Sequence, residues 1–403
     1  MSMHVLIAGA GIAGPALAFW LNRYGIRSTI VERAPALRMG GQAVDFRGPT
    51  HRTVLDRMGI WEAICERQTH LGDVEVLGAD GTKSFQLPSI FASGDVEILR
   101  GDLSRLLYER TQHHTEYLFG DSITALEQTA DGVDVSFARS KKARFDLVVG
   151  ADGLHSTVRA LAFEEEEHKL VHHGYRIAGF TLPNVLGLER RGLLYSVPRR
   201  AVAISSARGP NEARALFVWC APPKDRRARD LEADRRDVFE AFSGLGWEVP
   251  KILEELRGAS DVYIDDISTI VASRYSNGRV ALLGDAAYGG TLGGQGTPLA
   301  IIGAHVLAME LARAGGDHRA AFATYESLMR PYATRCQTGA KYAGPFHAPK
   351  TWLGYHFRNF FYGLLSSPML SGFFEKMVKS AASDFVVPDE PALPDVGMTR
   401  EAA

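Results

Sequence analysis

Gly9, Gly11 and Gly14 stand at G-x-G-x-x-G spacing in the run GAGIAG, and an acid, Glu32, follows 18 positions after Gly14. Glycines at this spacing serve a phosphate. Gly9 permits a tight turn, Gly11 lets the backbone approach a pyrophosphate, and Gly14 lets a helix pack closely on a strand. Ala13 lies in the same turn. A helix that begins just after such a turn offers free N–H groups and partial positive charge to an anion. The Glu32 carboxylate suits the two hydroxyls of a ribose. The set describes a dinucleotide site.

That chemistry needs a strand, a turn, a helix and a second strand, and the flanking sequence supplies them. Val5 to Ala8 form a short apolar strand, a helix runs from about Pro15 to Tyr24, and Ser28 to Val31 form a second strand ending at Glu32. A lone glycine pattern is weak evidence, but here it sits in its full context. Residues 5–21 are almost wholly apolar, yet no Lys or Arg precedes them and three glycines interrupt them. They are expected to open the fold, not to form a targeting segment.

Two later stretches have the same texture. In FDLVVGADGLHSTVRALAF, Phe145 to Val149 form a strand, Asp152-Gly153 a turn, and a helix starts near Ser156. In GRVALLGDAAYGGTLGGQGTPLAIIGAHVLAMELARAGG, Val280 to Leu283 form a buried strand ended by Gly284-Asp285. Thr297 is the expected N-cap of the next helix, with Pro298 at its first position and Gly315-Gly316 at its end. A helix N-terminus directly after a glycine loop is a second place for electron-rich oxygens.

The remaining elements frame these three. A helix begins near Pro49, residues 72–90 form a hairpin turning at Asp80-Gly81, and Arg100 marks a strand-to-helix junction. A further hairpin turns at Asp131-Gly132. The Glu164–Glu167 run is expected to be a solvated loop. From Gly174 to Ile270, short β-like runs separated by Pro, Gly and Asn turns suggest an inserted antiparallel sheet. It could wall one side of a cavity, since pockets favour domain junctions. Lys224 to Arg236 mixes charges as an exposed helix or loop would. From Tyr325 the pattern is helical, with an aromatic-rich face of Trp352, Tyr355, Phe357, Phe360, Phe361, Tyr362 and Leu365 broken by Pro368. Lys350, His356 and Arg358 prevent an apolar run long enough to span a membrane. Packing over the core or capping a pocket is the expected role of this helix.

The 403 residues are enough for two or three compact units, and a composition of 46% apolar and 23% charged residues is that of a soluble globular protein. A formal net charge of −2 gives no reason to expect nucleic acid or an anionic membrane. Cys65, Cys220 and Cys336 are far apart and lack C-x-x-C spacing, so neither a disulfide framework nor a metal site is suggested and a cytoplasmic setting fits. The fold class expected is α/β: a Rossmann-like unit (1–72, 95–173 and 271–316), an inserted antiparallel β-sheet unit (73–94 and 174–270) and a C-terminal helical segment (317–403).

Three ordered motifs now resemble those of the single-component FAD-dependent monooxygenases of the aromatic hydroxylase type, including the tetracycline-inactivating flavoenzymes. They are the glycine fingerprint with Glu32, Asp152-Gly153-x-x-Ser156-x-x-Arg159, and Gly284-Asp285-Ala286-Ala287. The resemblance implies roles by position. Gly9, Gly11, Ala13 and Gly14 would hold the FAD pyrophosphate, and Glu32 and Arg33 the adenosine end. Arg100 matches a position that contacts FAD, and Arg47 a basic position near the flavin or the incoming nicotinamide. Asp152 would support both FAD and the NAD(P)H path, Asp285 would bind the ribityl chain, and Gly294 and Gly296 would face the flavin edge. Two departures stand out: Tyr288 replaces a histidine common in the family, and the loop YGGTLGGQG lacks a usual proline and carries five glycines. Greater mobility of that loop is expected.

The same resemblance implies the reaction. NAD(P)H, bound transiently because only one complete dinucleotide fingerprint is present, reduces FAD, and O2 is captured as a flavin C4a-hydroperoxide that hydroxylates an aromatic or polycyclic phenolic molecule. No side chain stands out as a catalytic acid or base; His172, His173 and Tyr175, at the sheet boundary, are expected to be structural. A reductase that never activates oxygen, or a flavoprotein that sequesters an aromatic compound, would share these motifs. The expected partners are thus a small aromatic substrate and O2, with no nucleic acid and no transmembrane segment, in a monomer or dimer.

Overall fold

The computed structural model describes residues 3–38, 40–89, 93–224, 230–292, 295–366 and 385–391. Its first strand, His4–Ala8, lies in the middle of a six-stranded sheet. Arg27–Glu32 and then Thr115–Phe119 lie on one side, and Leu147–Gly150 and then Val280–Leu282 on the other, all parallel. The short strand Ser276–Asn277 closes the second side in antiparallel pairing. Val5, Leu6 and Ile7 are fully buried, as a parallel strand covered on both faces must be. Chain order reverses between His4–Ala8 and Leu147–Gly150, so a crevice opens where ligands of such sheets bind.

The helix Ala13–Arg23 packs beside the long apolar helix Gly296–Arg313. Gly284 makes their approach possible: a Cβ there would lie 3.1 Å from the Ala13 Cβ and 3.3 Å from that of Ala300. Its φ of +62° also suits glycine. Antiparallel strands Ile123–Gln128, Val133–Phe137 and Ala143–Phe145 form a small satellite sheet, so the expected hairpin gains a third strand. The Glu164–Glu167 run is not a free loop: Glu165–Glu167 form a 3-10 turn and Glu167 pairs with Arg274 at 2.7 Å.

A seven-stranded sheet forms the second layer, in the order Tyr263–Ala272, His168–Pro183, Gly209–Cys220, Arg200–Ala207, Gly192–Val197, Val74–Leu77, Lys83–Leu87. It is antiparallel except at one place, where Val74–Leu77 runs parallel to Gly192–Val197. One face carries Phe180, Phe217 and Trp219 and is closed by the helices Leu231–Phe242 and Val249–Gly258. The other face, with Tyr175, Ile177, Leu194 and Val218, meets Leu292, Phe346 and Tyr362. This second face thus looks toward the dinucleotide-binding unit, through Leu292.

The tail is a 30-residue helix, His318–His347, followed by Trp352–Leu365. The second helix only partly fulfils the expected packing role. Tyr355, Arg358 and Tyr362 are buried, and Tyr362 Oη donates to the Phe346 carbonyl at 2.7 Å. Phe357 and Phe360, in contrast, are 70% and 71% exposed. Residues 385–391 return to the first unit, where Thr50 Oγ1 donates to the Phe385 carbonyl and Arg23 pairs with Glu390. Among the described residues, no helix is long and apolar enough to cross a membrane.

Candidate cofactor and active site

The glycine turn is built from steric necessity. Gly9 has a φ of +105°, and a Cβ there would sit 2.5 Å from the Ala151 carbonyl oxygen; a Cβ at Gly14 would sit 2.0 Å from the Gly9 carbonyl oxygen. Ala13 is the first residue of its helix, and no side chain caps that helix, so its leading N–H groups remain available to a ligand. The helix Arg100–Glu109 is tied to the turn by Ser104, whose hydroxyl donates to the Gly11 carbonyl at 3.2 Å.

Glu32 is tied into the turn that precedes it. Its carboxylate accepts from the Ala10 N–H at 2.9 Å and from the Ala34 N–H at 2.8 Å, clasping the glycine turn to the end of the second strand. A carboxylate has about four acceptor positions, so capacity remains for hydroxyl donors. Arg33 is exposed beside it and makes no hydrogen bond or ion pair among the described residues; Arg38 is the cation that approaches Glu32, at 4.0 Å.

Arg100 passes between two glycines. Cβ atoms at Gly11 and Gly41 would each lie 3.1 Å from its side chain. Its charge also acts on Asp285, whose carboxyl is pushed up to about 6 by burial, against the pull of Arg100 and with a push from Asp265. Asp285 makes no hydrogen bond among the described residues and keeps some open surface. It is cradled by glycines: a Cβ at Gly289 would lie 2.5 Å from its Cα, and one at Gly296 3.2 Å from Oδ1. Gly296 is the first residue of its helix, and Gln295, at φ +51°, is the cap. Thr297 therefore lies inside the helix, and the expected cap is two residues too late. Gly294 lies outside the described residues.

Asp152 is turned into its own motif. It accepts from the Ser156 hydroxyl and from the backbone N–H groups of Thr157 and Val158, at 2.6 and 3.1 Å, so its carboxylate caps the helix Thr157–Ala162 together with Ser156. Burial raises its pKa in spite of these donors. Its backbone, 3.0 Å from where a Gly9 Cβ would be, packs against the glycine turn. Arg47 pairs with Asp45 and donates its backbone N–H to His51 Nδ1 at 2.9 Å. Across the ribbon from Asp45 stands Glu97, held by the Thr69 hydroxyl.

Tyr288 points away from this cleft. It is fully buried against Tyr275 and Tyr325, and its hydroxyl, 3.1 Å from that of Tyr325, occupies space left by Gly303. His172 and His173 are used locally: His172 Nδ1 accepts from the Gly174 N–H, and His173 Nε2 meets Thr269 Oγ1.

Three residues at the cleft carry no motif in the sequence. Gln42 Nε2 and Gln295 Oε1 are buried without a partner among the described residues, and Gln42 accepts the Arg100 N–H on its backbone carbonyl. Asp265 accepts from His155 Nε2 and from the Tyr263 hydroxyl, each at 3.2 Å. An uncapped turn of N–H groups, an arginine, an unpaired carboxylate and two orphaned amide atoms suit a ligand with phosphates at one end and many hydroxyls and ring polar atoms at the other.

Comparison with known proteins agrees with that donor set. Residues 2–340 match the family described as FAD binding domain. The chain is 41% identical over 340 residues to an uncharacterized protein of Mycobacterium tuberculosis, covering 83% of this chain and 91% of that one. It is 36% identical over 337 residues to a flavin-dependent monooxygenase of Legionella longbeachae, covering 82% and 86%. The crystal structure of tetracycline destructase Tet(51) superposes with a TM-score of 0.85 at 30% identity, covering 96% of this chain and 100% of that one. The chain belongs to the FAD-binding family of flavin-dependent monooxygenases.

Proposed function

We propose that this monooxygenase takes reducing equivalents from transiently bound NAD(P)H and uses O2 to hydroxylate an aromatic or polycyclic phenolic small molecule. The observation that carries this reading is the meeting of Leu292, within the glycine loop, with the second face of the seven-stranded sheet. The residues of that face are buried and apolar or aromatic (Ile177, Leu194, Val218, Tyr175), with Phe346 packed beside them, so the junction is the weakly polar setting that a flat aromatic ligand would require. The name of the Tet(51) neighbour, a tetracycline destructase, points to the same substrate class.

Within this reading Gly9, Gly11, Ala13 and Gly14 hold the diphosphate, and Glu32 and Arg33 meet the adenosine end. Arg100 and Asp285 serve the ribityl side, and Gly296 faces the flavin edge. Arg47 lies on the nicotinamide approach, and Asp152 supports the turn from behind through its backbone. When bound, FAD supplies the redox and oxygen chemistry. The chain binds, orients and excludes water. The test is a screen of NADH and NADPH oxidation by the FAD-loaded enzyme against phenolic and fused-ring compounds, with product mass measured. Stimulated oxidation with a hydroxylated product supports the reading; a product reduced without added oxygen favours a reductase, and an unaltered compound with hydrogen peroxide formed favours an oxidase.

A further inference from the structure

The loop before the helix Gly296–Arg313 is expected from its glycines to be mobile, yet its first half is stapled to the sheet. Gly290 forms a bridge with Thr269 on the open edge of the strand Tyr263–Ala272. The Ile270 N–H donates to the Gly289 carbonyl at 3.0 Å, and the Thr291 N–H to the Ser268 carbonyl at 3.1 Å. The Thr291 hydroxyl completes the join, donating to the Asp266 carbonyl at 2.8 Å and accepting the Ser268 N–H at 3.2 Å. From the other side, Gln337 in the helix His318–His347 donates through Nε2 to the carbonyls of Ile270 at 2.6 Å and Tyr288 at 2.9 Å. One side-chain amide thus grips both the sheet edge and the residue that precedes the loop.

We infer that Thr291 and Gln337 are positioning residues that fix the flavin-edge loop to the substrate-facing sheet, so that cofactor and substrate wall keep one register. The inference rests on reading the cleft beside Asp285 as the FAD site. A glycine-rich loop loses much backbone freedom on binding a ligand; two side chains that order it beforehand remove part of that cost. Neither residue touches the Asp285 carboxylate, so each acts through the loop.

The experiment measures FAD binding to apoprotein by quenching of flavin fluorescence. Thr291→Val keeps the shape and removes the hydroxyl; Thr291→Ser restores it; Gln337→Leu removes the amide from the opposite side. Asp285→Ala serves as the control on the site itself. The expected result is a Kd for FAD raised about fivefold or more by Thr291→Val and by Gln337→Leu, with Thr291→Ser within about twofold of the unaltered protein. If Thr291→Val does not fold, Gln337→Leu carries the same test. Unchanged affinity in Thr291→Val and Gln337→Leu, with affinity lost in Asp285→Ala, overturns the inference and leaves the site standing. Equal weakening by Thr291→Ser and Thr291→Val also overturns it. Unchanged affinity in Asp285→Ala overturns the site reading and the inference together.

Discussion

The Arg159 guanidinium donates to the Ala286 carbonyl at 2.8 Å and to the Leu154 carbonyl at 2.6 Å. It thereby joins the second sequence motif to the third across the sheet. The side chain is only 6% exposed, and burial lowers its pKa while Asp152 opposes the shift. Arg159 accordingly locates Asp285, one residue before Ala286, relative to the Ala151-Asp152 turn that packs against Gly9.

Arg159→Ala should leave two buried carbonyls without donors. A loss of roughly 2–4 kcal/mol in apoprotein stability is expected, together with weaker FAD binding because Asp285 loses its brace. Urea unfolding followed by an FAD titration checks both. An unchanged unfolding midpoint would show that the carbonyls find other donors and that the link is dispensable.

Gly14→Ala should be far more damaging than its size suggests. The added methyl would meet the Gly9 carbonyl oxygen at 2.0 Å, and backbone, not a flexible side chain, must yield. Destabilisation of about 1–3 kcal/mol and loss of FAD affinity are expected. Gly258→Ala, in the helix Val249–Gly258 with nothing within 4 Å, is the matched comparison. It should be neutral or stabilising by up to about 1 kcal/mol. Thermal melts of the two variants should move in opposite directions or differ sharply.

The pH dependence of apoprotein stability has two limbs of opposite sign. Burial pushes the Glu97 carboxyl from 4.5 to about 7, with Thr69 and Arg47 opposing and Asp45 adding to the shift. The folded state then holds a proton that the unfolded chain has released. Stability from this group is full below pH 4.5 and is lost as pH rises through about 7. Burial lowers His51 to about 4 and His305 to about 3, so their contribution is present above pH 6.5 and is lost on acidification. Glu97→Gln keeps an acceptor for Thr69 and should flatten the upper limb, by on the order of 3 kcal/mol at most. Denaturant unfolding from pH 4 to 8 measures it, and an identical profile in the variant would refute the buried-proton account.

The parts legible in the sequence are those in which local sterics and periodicity decide. The turn at Gly9–Gly14, the strand ending at Glu32 and the helix after Ser156 each follow from a few neighbouring residues. Long-range contacts were not legible. Spacing cannot reveal that Glu32 accepts from Ala10 and Ala34, nor that Asp152 spends its carboxylate on its own helix. Tyr288, a departure at family level, is accommodated because Gly303 leaves room for its hydroxyl. The parallel pairing of Val74–Leu77 with Gly192–Val197 joins distant segments that local pattern cannot relate. Five glycines suggested a loose loop, but Thr291 and Gln337 act on it from outside its local sequence.

Turnover under isotopically labelled oxygen gas tests the central claim most directly. The FAD-loaded enzyme is given NAD(P)H and a phenolic or fused-ring compound that stimulates reductant oxidation, and the organic product is weighed by mass spectrometry. Hydroxylation predicts one labelled oxygen atom in the product and the other in water. Label recovered only in water or hydrogen peroxide, for every compound that stimulates oxidation, would contradict it.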